Sequence, residues 1–344
     1  MKRISASQKL KNKVGKYFII LALVLLGLSS IFGALNSLYY VFPDYLKPYL
    51  GFEKLRPMHV SAAVFWILSA ATGFIYFALE KMGLKHEFKR LKRLHLSLWI
   101  LALLFIFFSY SVAWFGGREY WEFPPFIAIL IAIAWLIFLY ILLKTGLKIK
   151  SWPVYLWMWA TGVGFFFFIF LENYLWIHPY FRTDFLKDML IQWKAAGSLV
   201  GTWNMLIYGS AIFLMERISK NRQLARNKWA FALFFLSLFN MLFNWGHHLY
   251  LVPVHPAIHY TGYIVSMTEW VFLIKIFYTW KNQLTEAKTF HQYYPYRYLL
   301  AANFWVCANL ILALLMSIPV LNLYMHGTHI IVAHAMGTTI GINS

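Results

Sequence analysis

Residues 228–251 read KWAFALFFLSLFNMLFNWGHHLYL. From Trp229 to Gly246 there is no charged side chain. The run is long enough to cross a bilayer, which takes roughly 20 helical residues at about 1.5 Å each. A single such run is also compatible with a buried helix in a soluble domain, but the rest of the chain argues otherwise. Of 344 residues, 61% are hydrophobic and 12% are charged, more apolar surface than a soluble fold of this size hides. Ten such runs, at about 17–40, 58–80, 94–115, 123–144, 153–172, 193–215, 228–251, 258–280, 297–318 and from 327 onward, predict an all-α polytopic membrane bundle. Barrel strands would be shorter and would alternate in polarity.

The net charge of +19 belongs to this topology and not to nucleic-acid binding. Lys and Arg gather in MKRISASQKLKNKVGK (1–16), EKMGLKHEFKRLKR (80–93), KTGLKIK (144–150) and ERISKNRQLARNK (216–228), with KNQLTEAK (281–288) on the same side. The intervening loops, such as VPVHPAIH (252–259), are poor in both. By the positive-inside rule the basic loops and the N-terminus are cytoplasmic. The first run is too long for a signal-peptide core and is read as a retained helix. The single cysteine, Cys307, excludes an internal disulfide and a C-x-x-C-H haem attachment. One transmembrane domain is expected over 1–344. The chain stops at TTIGINS, within the tenth run, and a helix ending in mid-membrane leaves carbonyls unpartnered. The reading therefore expects a piece of a longer bundle.

Imidazole is costly to place in a bilayer without a partner. With the topology fixed, His59 lies at the outer end of the second run, His247 and His248 late in the outward-going seventh, and His334 one to two turns into the inward-going tenth. Four histidines from three distant stretches thus share one depth. Each alone is compatible with a core histidine bonded to a carbonyl; the set points to metal or haem ligation. His334 and Met336 are two residues apart, hence about 200° around a helix, so one helix is able to serve two haems on opposite faces. Ordinary packing remains the alternative for Met336.

The order of motifs resembles the catalytic subunit of the haem-copper oxidase superfamily, most closely its nitric oxide reductase branch. It runs through RPMHVSAAVFWILSAATGFIYF (56–77), GGREYWEFPP (116–125), WNMLIYG (203–209), NWGHHLY (244–250), GYIVSMTEW (262–270) and HGTHIIVAHAMG (326–337), over nearly the whole chain. The family's twelve-helix bundle lacking its C-terminal end is the fold this implies. The resemblance implies that His59 and Met336 ligate a low-spin haem and His334 a high-spin haem, both b-type, with His326 among the cofactor-binding residues. It implies that His247 and His248 hold a non-haem iron (or copper), that Glu269 supplies protons, and that Glu119 and Glu122, beside Arg118, help bind calcium. For these acidic residues, simple ordering of the outer loop is the alternative.

The chain departs from the family's pattern at three positions. Asn204 stands where the family has a third histidine on the non-haem metal, and amide groups are weak ligands. Tyr208 stands one turn on, in place of a ligating glutamate. Met336 replaces a histidine, which raises a haem's potential relative to bis-histidine.

The implied activity is reduction of NO with electrons from a quinol or cytochrome donor, passed in some relatives through a small electron-input subunit. A dismutase converting NO to N2 and O2, a terminal O2 reductase, a non-catalytic haem-bearing electron carrier and a transporter are the rival readings. Lys275 is read as snorkelling.

Overall fold

The computed structural model describes residues 14–44, 47, 50–83, 88–285 and 292–343. These are helical, with no strand among them beyond an isolated bridge between Arg118 and Trp121. Among the described residues, eight helical segments are long and apolar enough to cross a membrane. The chain divides into two compact units, Met1–Lys150 and Ser151–Ser344.

The first unit contains α1 (Val14–Leu38), α2 (Phe52–Lys81), α3 (Lys89–Ser111) and α4 (Ile127–Gly146). In lipid, helices gain little from hydrophobicity alone, and packing and interhelical hydrogen bonds hold them together. Accordingly α2 and α3 are joined along their length by Ser61 and Tyr110 Oη at 2.9 Å, Trp99 Nε1 donating to Ser69 Oγ at 2.9 Å, and Tyr76 Oη with His95 Nδ1 at 2.8 Å. Around these bonds Phe65, Trp99, Trp135 and Phe138 are fully buried. The opposite faces, such as Leu23, Val24 and Ile31 of α1 and Leu104 and Phe108 of α3, are exposed and apolar, as a lipid-facing surface requires.

The second unit contains α5 (Val154–Glu172), α6 (Phe185–Ser219), α7 (Lys228–Phe243), α8 (Pro256–Ser266), α9 (Glu269–Lys281), α10 (Tyr293–Ser317) and α11 (His329–Met336). Indole donors again lock helices to the backbone of α6: Trp159 Nε1 reaches Leu206 O at 3.3 Å and Trp280 Nε1 reaches Met215 O at 3.0 Å.

The sixth and eighth predicted runs differ from the structure. The sixth begins at Phe185 and not at 193, because Asp184 caps it, accepting from Leu186 N at 3.0 Å and Lys187 N at 3.2 Å. Its charged first turns are also paired, Lys187 with Asp184 and Lys194 with Glu172. The eighth is broken into α8 and α9 where Thr268 Oγ1 bonds Val265 O at 2.9 Å, a side-chain bond that competes with the helix ladder. The tenth run is helical from His329, as α11 and then a π turn over Gly337–Ile342.

Candidate functional site

In the first unit His59 lies on α2, half-buried. Its Nδ1 is 2.7 Å from the carbonyl of Ser29 on α1. A carbonyl only accepts, so Nδ1 carries the proton and Nε2 keeps its lone pair, the form in which imidazole ligates iron.

Three residues before His59, Arg56 spans the two acidic residues of the outer loop, Glu119 at 2.5 Å and Glu122 at 3.0 Å. The loop is folded back by Gly116 N and Gly117 N donating to Glu122 O at 3.1 and 3.2 Å. Burial raises the Glu122 carboxyl above its usual range, outweighing the Arg56 guanidinium that acts to lower it. Its Oε2 is buried without a hydrogen-bond partner among the described residues. Calcium takes six to eight oxygens. These two carboxylates share the one guanidinium of Arg56 and each already gives it an oxygen, so the loop alone is a poor fit for that ion. Arg56, to which the sequence motifs assign no role, is the cation the structure supplies.

In the second unit α7 ends at Phe243 and the histidine pair falls on a 3₁₀ turn, Asn244–Leu249. Composition alone predicts that the seventh run stays α-helical to 251. Trp245 Nε1 takes the Leu242 carbonyl at 2.7 Å, and α8 presses on the turn at a glycine pair. A Cβ on Gly262 would lie 2.6 Å from His247 N, and one on Gly246 would collide with Ile258 O. The tighter 3₁₀ winding sets the two rings 4.2 Å apart at 42°.

The His248 ring stacks on Trp193 of α6, with centroids 6.0 Å apart at 11°. It also packs on Gly197, where a Cβ would be 3.3 Å from its Cδ2. Trp193, Gly197, Asn204 and Tyr208 lie within about 60° of one another around α6 at about 100° per residue. The face that touches His248 therefore carries both substituted positions, each half-buried. Trp193 and Gly197 give no signal in a sequence with 16 tryptophans and 19 glycines.

His334 lies within electrostatic reach of His247 and His248, and exposed His326 within reach of His248. Met336 ends α11, on the opposite side of that helix from His334. Glu269 begins α9; its side chain lies outside the described residues. Among the described residues, no three His, Cys, Asp or Glu side chains are close enough to share one ion. The donor set thus fits axial haem ligation at His59. It offers a second metal two imidazoles; Asn204 lies on the same face of α6 but about two turns beyond Gly197, the residue that His248 packs on.

A sequence profile described as Cytochrome C and Quinol oxidase polypeptide I matches residues 13–344. The chain is 23% identical to a nitric oxide reductase subunit from Stutzerimonas stutzeri, over 93% of this chain and 70% of that one.

Proposed function

The chain belongs to the cytochrome c and quinol oxidase polypeptide I family of membrane oxidoreductases, and on that premise we propose that it reduces nitric oxide: two NO, two electrons and two protons give N2O and water. The observation that carries this reading is the His247–His248 pair, set against Trp193 and Gly197 of α6 and within reach of His334. In this proposal the bound b-type haems and the non-haem iron (or copper) supply electron transfer and a two-metal site that brings two NO molecules together.

The chain's own residues supply the rest. His59, its Nδ1 proton held by Ser29 O, would hold the low-spin haem through Nε2, together with Met336. His334 ligates the high-spin haem, His247 and His248 the non-haem metal, and Asn204 weakens that metal's hold. The Tyr208 hydroxyl, one turn from Asn204, donates a proton or hydrogen bond to bound substrate. Glu269 relays protons, and Arg56 with Glu119 and Glu122 fixes the outer loop. The donor is a quinol or cytochrome, and the proposed location is a bacterial cytoplasmic membrane.

A second reading, NO dismutation, is favoured by Asn204 standing where a third histidine is expected. The test is gas analysis on purified protein with measured haem and metal content. N2O formed only when an electron donor is present supports reduction. N2 and O2 formed without a donor support dismutation, and O2 consumption alone would reject both. Under the reductive reading Tyr208→Phe slows turnover roughly a hundredfold with haem content unchanged; unchanged turnover assigns Tyr208 to packing.

A further inference from the structure

The side chain of Asn309, on α10, enters the backbone ladder of the helix that carries His334. In a regular α-helix the Thr338 N–H would bond the His334 carbonyl four residues earlier. Here an amide stands between them. Its nitrogen donates to His334 O at 3.1 Å and its oxygen accepts from Thr338 N at 3.2 Å. The helix widens to its π turn at this place, beginning at Gly337, as ladders do around an inserted group. Gly337 leaves the room: a Cβ there would lie 2.6 Å from the end of the Asn309 side chain.

The same amide nitrogen is 3.1 Å from His334 Nδ1, and the amide oxygen is 2.5 Å from Thr338 Oγ1. An amide N–H aimed at Nδ1 claims that nitrogen's lone pair, so the neutral ring carries its proton on Nε2. That tautomer has no lone pair on Nε2 for a metal. Turning the amide over reverses every polarity. Its oxygen then accepts from Nδ1–H, and its nitrogen donates to Thr338 Oγ1 at 2.5 Å. The hydroxyl in turn donates to His334 O at 3.2 Å. Nε2 is now free to ligate, at the cost of setting the amide oxygen 3.1 Å from the His334 carbonyl and the amide nitrogen 3.2 Å from Thr338 N, like against like, until a proton on Nδ1 and the Thr338 hydroxyl offset it. A hydroxyl both donates and accepts, so Thr338 serves either arrangement.

We propose that Asn309 is a positioning residue whose amide orientation selects the tautomer of His334, with the Thr338 hydroxyl as the adapter that makes the metal-ready orientation available. The proposal rests on His334 being the axial ligand of the high-spin haem.

The test compares full-length purified wild type with Thr338→Val and Asn309→Asp, by resonance Raman of the ferrous haem and by high-spin haem per chain. Thr338→Val keeps the shape and removes the adapter. The iron–histidine stretch should move to lower frequency, and haem affinity should fall about tenfold, the worth of one hydrogen bond. Asn309→Asp presents acceptors in both directions, so the stretch should move higher and stay there when Thr338→Val is added. An unmoved stretch with wild-type haem content in Thr338→Val overturns the proposal, whether or not the Asp variant folds. If His334→Ala retains the stretch, the axial assignment itself is overturned, and the proposal with it. A stretch lost in His334→Ala but unmoved in Thr338→Val overturns the Asn309 role alone.

Discussion

At the scale of single residues, a histidine's use as a ligand is decided by the ring edge it does not offer. The Ser29 carbonyl can only accept, so His59 is committed to one tautomer. An amide can do either, which leaves His334 with two. The sequence makes the histidines visible, because imidazole is out of place in apolar runs. It hides their partners, because Ser29 is 30 residues from His59, and Arg56 is 63 and 66 residues from the carboxylates it joins. That loop carries a pH signature. Burial raises the folded-state value of Glu122 above its unfolded one. The stability this gives is therefore fully present below the ordinary carboxylate value, about 4.3, and is lost as pH rises through the raised value. Thermal denaturation at several pH values should show the wild type losing stability over that window, and Glu122→Gln, neutral throughout, should lose less. Parallel curves would remove Glu122 as the titrating group.

At the scale of helices, apolar run length locates nearly every element, since a span's length is fixed by the bilayer. Its failures lie where short-range hydrogen bonds beat composition: the Asp184 cap that lengthens α6, the Thr268 bond that ends α8, and the glycine contact that winds the histidine pair into a 3₁₀ turn. Helix pairing is not legible in the sequence, because it rests on bonds between distant polar residues. The Tyr76–His95 bond joining α2 to α3 is a case. His95 is fully buried and its ring stacks on Phe138 at 21°. Its Nε2 has no hydrogen-bond partner among the described residues. Either Tyr76→Phe or His95→Phe alone strands a buried group and should cost about 1–3 kcal/mol. The double variant leaves no stranded atom and should be at least as stable as either single one. Measured unfolding in detergent gives the cycle directly, and simple additivity of the two losses would mean that the bond does not couple the helices.

At the scale of the whole chain, the uneven placement of 31 Lys and Arg against 12 Asp and Glu carries the sidedness of every loop. The last turn of α4 and the α4–α5 connection hold Lys144, Lys148 and Lys150, whereas the α5–α6 connection holds Arg182 opposed by Asp184. Positive residues near span ends are retained on the cytoplasmic side, so these consecutive loops should face opposite compartments. The first outward loop, and with it the His59 end of α2, is read as external by the same rule. Both loops offer exposed positions, Lys148 and Arg182, and the single native cysteine is removable as Cys307→Ser. In right-side-out vesicles a membrane-impermeant maleimide should label Arg182→Cys in that background, and should label Lys148→Cys only after the membrane is opened. Labelling of Lys148→Cys in sealed vesicles would invert the chain. It would place the His59 end of α2 and the loop of Arg56, Glu119 and Glu122 on the cytoplasmic side, against the sidedness that the basic loops predict.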